Sequence, residues 1–389
     1  MRRVAVLVAF AGLLGACGPA DPPPEPTAVE EAHEAIRTGV EFLLTTQNTD
    51  GSFGYSSQRS PFKIYAPVPG AHRSFRAAST ALCLMALQAV RSEDPRVLEA
   101  RQKGIAWLIE HGVVKRSHGR ELYICWAHGY GLKCLARYLK DPVPGMDEAA
   151  ARRTAERMVR SLTTFQTLDG GWGYLHGGVA TRRPSGTSMP FASATVLFGL
   201  REIRDAGVAV PEPVIVKALA HLKRCLTPEG TFVYSSSHRY YPQGRINRPQ
   251  GSLTRNPGCH LARHLLNGES SLADIERSIR RLLDKRAFAR MALHRPIPHE
   301  SWFAVSGYFY LYGYYYAAEC CRRLSPEFVS EVRDGLIGEV LVTRHPDGSF
   351  WDYPLYGYHK PYGTGYALLS LCYLAGSPWG ESAGHRGQP

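Results

Sequence analysis

Two apolar patterns alternate along the chain, and both have the period of a helix. In the first, apolar residues keep to one face. Ala151, Ala155, Met158, Leu162 and Phe165 step by four, three, four and three; Leu272, Ile275, Ile279 and Leu282 repeat the stripe, as do Val329, Val332 and Leu336. In the second, apolar residues run nearly all round the helix, over 77–90, 123–139, 191–200, 302–321 and 362–374. A one-sided helix faces water and an all-apolar helix is buried. Their alternation predicts an inner ring of helices inside an outer ring.

The one-sided stripes end in an acid-Gly turn followed by an aromatic residue. These turns fall at Asp50, Asp169, Glu229 and Asp347, spaced by 119, 60 and 118 residues. Gly tolerates the positive φ that stops a helix, and the aromatic two residues later can fold back over the helix end. The spacing gives a period of about 60 residues with two decayed copies, expected near Glu110-His111-Gly112 and near Phe288. Six repeats of two helices make an all-α (α/α)6 toroid, a single domain over residues 28–376. Helix starts are expected at Asp94-Pro95, Pro211, Ser325-Pro326 and, as a capping box, at Ser271 with Asp274. The fourth inner helix is expected over 257–267.

The runs Gln166-Thr167-Leu168-Asp169-Gly170-Gly171-Trp172 and Gln47-Asn48-Thr49-Asp50-Gly51-Ser52-Phe53 carry a further signal. They resemble the repeat of the terpenoid-cyclase and protein-prenyltransferase α/α toroids, over roughly residues 28–376. More closely, the chain resembles the bacterial prenyltransferase/squalene-oxidase-repeat proteins that carry a single toroid. Tyr123-Ile124-Cys125-Trp126-Ala127-His128-Gly129 resembles the Tyr-x-x-His-Gly start of their second inner helix. The chemistries that this resemblance implies lack their reactive groups here. The sequence has no Asp-x-Asp-Asp run, no Asp-Asp-x-x-Asp magnesium site and no Cys-Gly-Glu-Gln thioester; Ser306-Gly307-Tyr308 stands where a prenyltransferase would present zinc ligands. No cofactor and no metal are expected.

The 46 basic and 34 acidic residues leave a formal charge of +12, without a Lys/Arg run dense enough for nucleic acid. The protein is expected to be a monomer. Residues 1–17 read as an export signal: Arg2 and Arg3 precede an apolar stretch, Val4 to Leu14, that is shorter than the ~20 residues of a membrane span. Its end, Leu14-Gly15-Ala16-Cys17, resembles a bacterial lipobox; the resemblance implies cleavage before Cys17 and acylation of its sulfur, and a plain secretory signal is the alternative. Residues 18–27 are a Pro-rich tether and 377–389 a disordered tail. Together these place the protein in the cell envelope, anchored to a lipid membrane and facing the periplasm or exterior. None of the other eight Cys forms Cys-x-x-Cys, which favours buried thiols over a zinc ribbon; disulfides in an exported chain stay open.

Candidate chemistry belongs at the mouth formed by the starts of the inner helices. Trp126, His128, Phe191, Trp302, Tyr308, Tyr312, Tyr358 and Tyr362 are the candidate ligand-binding residues, since aromatic faces offer apolar area with a polar tip and attract cations. The same rings can equally be filler for a wide barrel. Glu121, Glu300, Asp352 and His128 are the candidate catalytic groups, because glycan chemistry needs paired carboxylates. Cys259, His260 and His264 could set two imidazoles on one helical face, with no third ligand at a recognisable spacing. Two functions remain: a binding or scaffold protein for an isoprenoid, lipid or cell-envelope ligand, and an enzyme acting on a lipid or glycan.

Overall fold

The computed structural model describes residues 26–55, 69–116, 122–175, 187–355 and 357–379. The signal segment with Cys17, most of the tether, most of the loop 50–73, Glu121 and the end of the tail lie outside the described residues. Twelve long helices alternate as the pattern predicts. The outer ones are α1 (Ala28–Thr46), α3 (Pro95–His111), α5 (Glu148–Phe165), α7 (Glu212–Cys225), α9 (Leu272–Asp284) and α11 (Pro326–Leu341). The inner ones are α2 (Pro69–Ala89), α4 (Ile124–Lys140), α6 (Pro190–Asp205), α8 (Asn256–Asn267), α10 (Tyr310–Cys321) and α12 (His359–Ala375). Each inner helix packs on the next, and α12 packs on α2, so the ring closes. There is no β-ladder among the described residues, only three isolated bridges. No helix among them is long and apolar enough to cross a membrane.

Five of the six outer helices begin with side-chain caps, and α7, which follows Pro211, does not. Thr27 and Ser271 form capping boxes, and Asp94, Asp147 and Ser325 each accept a backbone N–H of the first turn. The inner helices α4, α6, α8, α10 and α12 have no cap bond from the side chain that precedes them. Every described residue of α10 is buried, as the all-apolar pattern requires.

The four acid-Gly turns share one geometry. Gly51, Gly170, Gly230 and Gly348 have φ of +90°, +91°, +71° and +81°. In each, a backbone N–H three residues before the Gly donates to the carbonyl one residue after it, as in Thr167 to Gly171 at 2.9 Å. A Cβ on Gly170 would sit 2.3 Å from the Lys217 carbonyl oxygen, so the turn also needs Gly for contact with α7. Gln47 and Gln166 each donate twice, to the turn and to the next outer helix, at Ala100 and Val214. The aromatics Phe53, Trp172, Phe232 and Phe350 are fully buried beneath their turns.

The decayed copies keep part of this plan. Each buried aromatic donates its backbone N–H to a polar side chain of the following inner helix: Phe53 to Thr80, Trp172 to Ser193, Phe232 to Asn256, Phe350 to Thr364. In the second repeat Val114 does the same with His128 Nε2, at 3.1 Å. In the fifth, a short helix, Arg286–Arg290, replaces the turn; Arg290 clamps it to the buried Glu339 through two 2.8 Å bonds. All eight described cysteines are free thiols, seven of them buried.

Candidate active site and ligand cavity

The first turns of the inner helices meet at one mouth and line a cavity of about 250 Å³. Phe75 comes from α2, Tyr123 and Trp126 from the start of α4, and Phe191, Ala192 and Thr195 from α6. Tyr308, Phe309 and Tyr312 come from the turn into α10 and its first residues, and Tyr362 and Tyr366 from α12. The rings meet edge to face: Trp126 on Tyr362 at 6.4 Å between centroids, Phe191 on Phe309 at 4.6 Å. Two wall residues come from the repeat turns. The position five residues after the turn acid is Tyr55, Tyr174, Tyr234 or Asp352. Tyr174 and Tyr234 face the cavity, and Tyr55 packs on Tyr358.

The floor is a layer of hydroxyls above an ion pair. Tyr366 donates to Tyr130 at 2.7 Å, and Tyr130 lies 3.4 Å from the Tyr316 hydroxyl. Below them Lys133 on α4 reaches Glu319 on α10 at 2.6 Å and Glu202 on α6 at 3.3 Å. Burial opposes the charge of Glu319, yet Lys133 and Arg137 hold its carboxyl well below the usual carboxylate range. The Lys133 ammonium also faces the rings of Phe198, Tyr315 and Tyr316. These contacts seal the lower half of the lumen.

Polar atoms gather at one side of the mouth. The Tyr308 hydroxyl lies 3.3 Å from His299 Nε2 and 3.4 Å from the Tyr234 hydroxyl. His299 Nδ1 sits 2.8 Å from the Ser306 hydroxyl and 3.2 Å from the Ala304 carbonyl. Behind this wall Arg255 is fully buried and holds the carbonyls of Gly251, Phe232 and Ile246. Burial brings its guanidinium down to about 10.

Of the candidate ligand-binding residues, Trp126, Phe191, Tyr308, Tyr312 and Tyr362 line the cavity. Tyr358 is buried one layer behind, packed on Phe75 at 5.4 Å. Trp302 does not begin the fifth inner helix. That helix starts at Tyr310, because the backbone of residues 300–305 turns back on itself through the Glu300–Val305 bridge, and Trp302 is exposed. His128 is a structural anchor rather than a mouth residue. Its Nε2 accepts the Val114 N–H, and full burial lowers its imidazole to about 3.

The candidate carboxylates do not converge. Glu121 lies outside the described residues, Glu300 is half-buried on the bend with its Oε2 buried and without a hydrogen-bond partner, and no carboxylate lines the cavity among the described residues. Asp352 is buried behind Tyr362, which donates to it at 3.1 Å, and it accepts the Leu311 N–H at 2.9 Å. Burial raises its carboxyl to about 7, against those two donors. The His pair of α8 is spent on structure: His260 contacts the Gly230 carbonyl and the Ser270 hydroxyl, and His264 the Ser270 carbonyl. No group of three metal-ligating side chains occurs among the described residues. Asp169, Ser188 and His221 do meet, with Ser188 donating to Asp169 at 2.7 Å and lying 3.1 Å from His221. Ser188 and His221 are fully buried, so this trio fastens the third turn to α7.

No protein-family model matches the chain. A drimenyl diphosphate synthase from Streptantibioticus cattleyicolor is 27% identical over 202 residues. The match covers 51% of this chain and 32% of that relative, so the chain spans about a third of the relative's length. Among solved structures, a type II terpene cyclase from Scytonema, in complex with its geranylgeranyl dihydroxybenzoate substrate, superposes with a TM-score of 0.50 at 17% identity, covering 90% of this chain and 98% of that one. The chain is a terpenoid-cyclase-like α/α toroid. The toroid is shared with carbohydrate enzymes as well. The GH76A α-1,6-mannanase of Salegentibacter sp. superposes with a TM-score of 0.57 at 11% identity, covering 88% and 99% of the two chains. A D-mannose isomerase gives 0.55 at 13% identity, with coverage of 90% and 98%. At these identities the likeness concerns the toroid alone.

Proposed function

We propose that this protein is a membrane-anchored, extracytoplasmic binding protein whose toroid holds an isoprenoid or a similarly apolar lipid in the aromatic cavity. The observation that carries this reading is the composition of the wall. Rings from five inner-helix starts and two repeat turns surround the space, carboxylates are absent from it among the described residues, and the hydroxyls of Tyr234 and Tyr308 with His299 gather at one edge. Such a wall suits a long apolar body with one polar end. Anchoring rests on the lipobox ending in Cys17.

A calorimetric titration with farnesol and geranylgeraniol tests the reading, with mannobiose as the control. Saturable binding of the isoprenoids is expected, with loss of at least tenfold in the cavity-filling variant Ala192→Trp, roughly the effect of removing a single good contact region. Binding of the sugar alone, or isoprenoid binding that Ala192→Trp leaves unchanged, would overturn it.

One observation favours an enzyme on the same ring. Asp352, raised to about 7 by burial, holds Tyr362 of the cavity wall, so an acid still partly protonated at neutral pH stands one hydroxyl away from the lumen. Isoprenoid turnover that disappears in Asp352→Asn, followed by mass spectrometry, would establish this second reading. A substrate recovered intact would leave the protein a binder.

A further inference from the structure

Two segments leave the cavity wall and form its rim. Residues 235–248 follow Tyr234, and residues 296–305 surround Pro298 and His299. Of the strongly exposed tyrosine and tryptophan side chains among the described residues, all but Trp379 lie here: Tyr240 at 70%, Tyr241 at 73% and Trp302 at 59%. Ile297 adds 52% exposure beside them. The two segments are joined, since the Arg245 guanidinium lies over the Trp302 ring.

The backbone makes the exposure of Trp302 deliberate. Ser301 and Ala304 are held at φ of 63° and 51°, and Glu300 and Val305 exchange both backbone hydrogen bonds. Non-glycine residues rarely hold that conformation without a compensating role. The bend turns Phe303 inward onto Phe288, ring centroids 5.1 Å apart, and leaves Trp302 outward.

The charge of the rim is predominantly basic, with Glu300 its one acidic residue. Arg239, Arg245, Arg248 and Arg295 have no carboxylate partner among the described residues, and residues 235–256 contain no Asp or Glu. Arg239 instead stacks on Tyr240. A cluster of exposed aromatics interleaved with unpaired arginines matches the lipid-water interface, where rings sit among the headgroups and cations meet anionic lipids.

We propose that this rim docks on an anionic lipid bilayer and sets the mouth of the cavity against the headgroups, so that the ligand passes from membrane to lumen without crossing water. The proposal rests on the reading of the cavity as a lipid site. It is separate from any acyl anchor, because the contact surface is built from the toroid itself. A polyanionic polymer would use the arginines and leave the rings with nothing apolar to enter, so charge and aromatics together favour the bilayer.

The test uses full-length protein carrying Cys17→Ser, so that no acyl chain can hold it, and co-sedimentation with phosphatidylcholine vesicles containing roughly one third phosphatidylglycerol. Partitioning onto the anionic vesicles is expected, at least about tenfold stronger than onto pure phosphatidylcholine. Arg245→Gln with Arg248→Gln should lower it by about tenfold, and Tyr240→Ser, Tyr241→Ser and Trp302→Ser together by about as much. Circular dichroism confirms folding, and farnesol titration without vesicles reads the cavity independently. Retained farnesol binding with no vesicle binding would overturn the docking alone; loss of both would overturn the lipid reading. Equal partitioning of the aromatic variant, or heparin binding that this variant keeps in full, would assign the rim to a polyanion and refute the bilayer.

Discussion

The upper and lower halves of the lumen are built from the same helices and the same kind of residue, yet one is open and the other closed. In the lower half Tyr366 spends its hydroxyl on Tyr130, which lies 3.4 Å from that of Tyr316, and Lys133 with Glu319 closes the bottom. In the upper half the rings of Trp126, Phe191 and Tyr362 stand around an empty volume, and Tyr362 turns its hydroxyl outward to Asp352. Aromatic content alone does not separate filler from lining. What separates them is what crosses the lumen: the Tyr366–Tyr130 bridge and the Lys133 ion pair span it below, whereas above the Tyr362 hydroxyl points behind the wall.

The lower half should break first. Lys133→Met takes the ammonium from the buried Glu319 and leaves Glu202 with Arg137 at 3.5 Å, a loss that costs roughly 3–5 kcal/mol when one partner of a buried pair is removed. A large drop in melting temperature is expected, and Lys133→Met with Glu319→Leu should recover much of it. A single variant as stable as the parent would show that the ion pair does not hold the floor.

Acid should act next, and with opposite signs at two places. The His128 imidazole is lowered to about 3 by burial, so between 6.5 and 3 the unfolded chain takes a proton that the fold refuses. Its contribution is complete above pH 6.5 and is lost as pH falls toward 3. Asp352, raised to about 7, behaves the other way: the fold keeps a proton that the unfolded chain releases, so stability declines from about pH 4 to 7. In urea melts at several pH values, His128→Gln should flatten the acid limb and Asp352→Asn the limb toward neutrality. Parallel curves for parent and variants would contradict both assignments.

The smallest effect on stability is expected in the open half. Ala192→Trp adds bulk where there is room, so it should change unfolding by less than about 1.5 kcal/mol while abolishing ligand binding. A destabilisation of several kcal/mol would mean that the upper lumen is packed as tightly as the lower.

Much of the ring was legible in the sequence because a helix advertises its surroundings. The stripe of Ala151 to Phe165 and the unbroken run of Tyr310 to Cys321 differ only in how many faces are apolar, and that difference separates perimeter from centre. Turn chemistry was equally plain, since Gly170 and Gly51 have no substitute at their φ. Trp302 was misplaced because an apolar run cannot show a reversal of the backbone, and the bend at 300–305 contains neither Gly nor Pro to mark it. His128 was misread because its role is a hydrogen bond to Val114 across fourteen residues; alignment with Thr80, Ser193 and Thr364 was the available signal. Tyr174 and Tyr234 were visible in the same register, five residues after each turn acid, and that register also singles out Asp352 as the position where an acid replaces the ring.

The central claim is that the upper lumen exists to be filled by something apolar. Native mass spectrometry of the full-length protein purified from membranes, compared with Ala192→Trp prepared in the same way, addresses it most directly. The account predicts a bound mass of lipid or isoprenoid size on the parent that is missing from the variant. A parent that emerges bare from lipid-rich membranes, or a variant that carries the same mass, would contradict it.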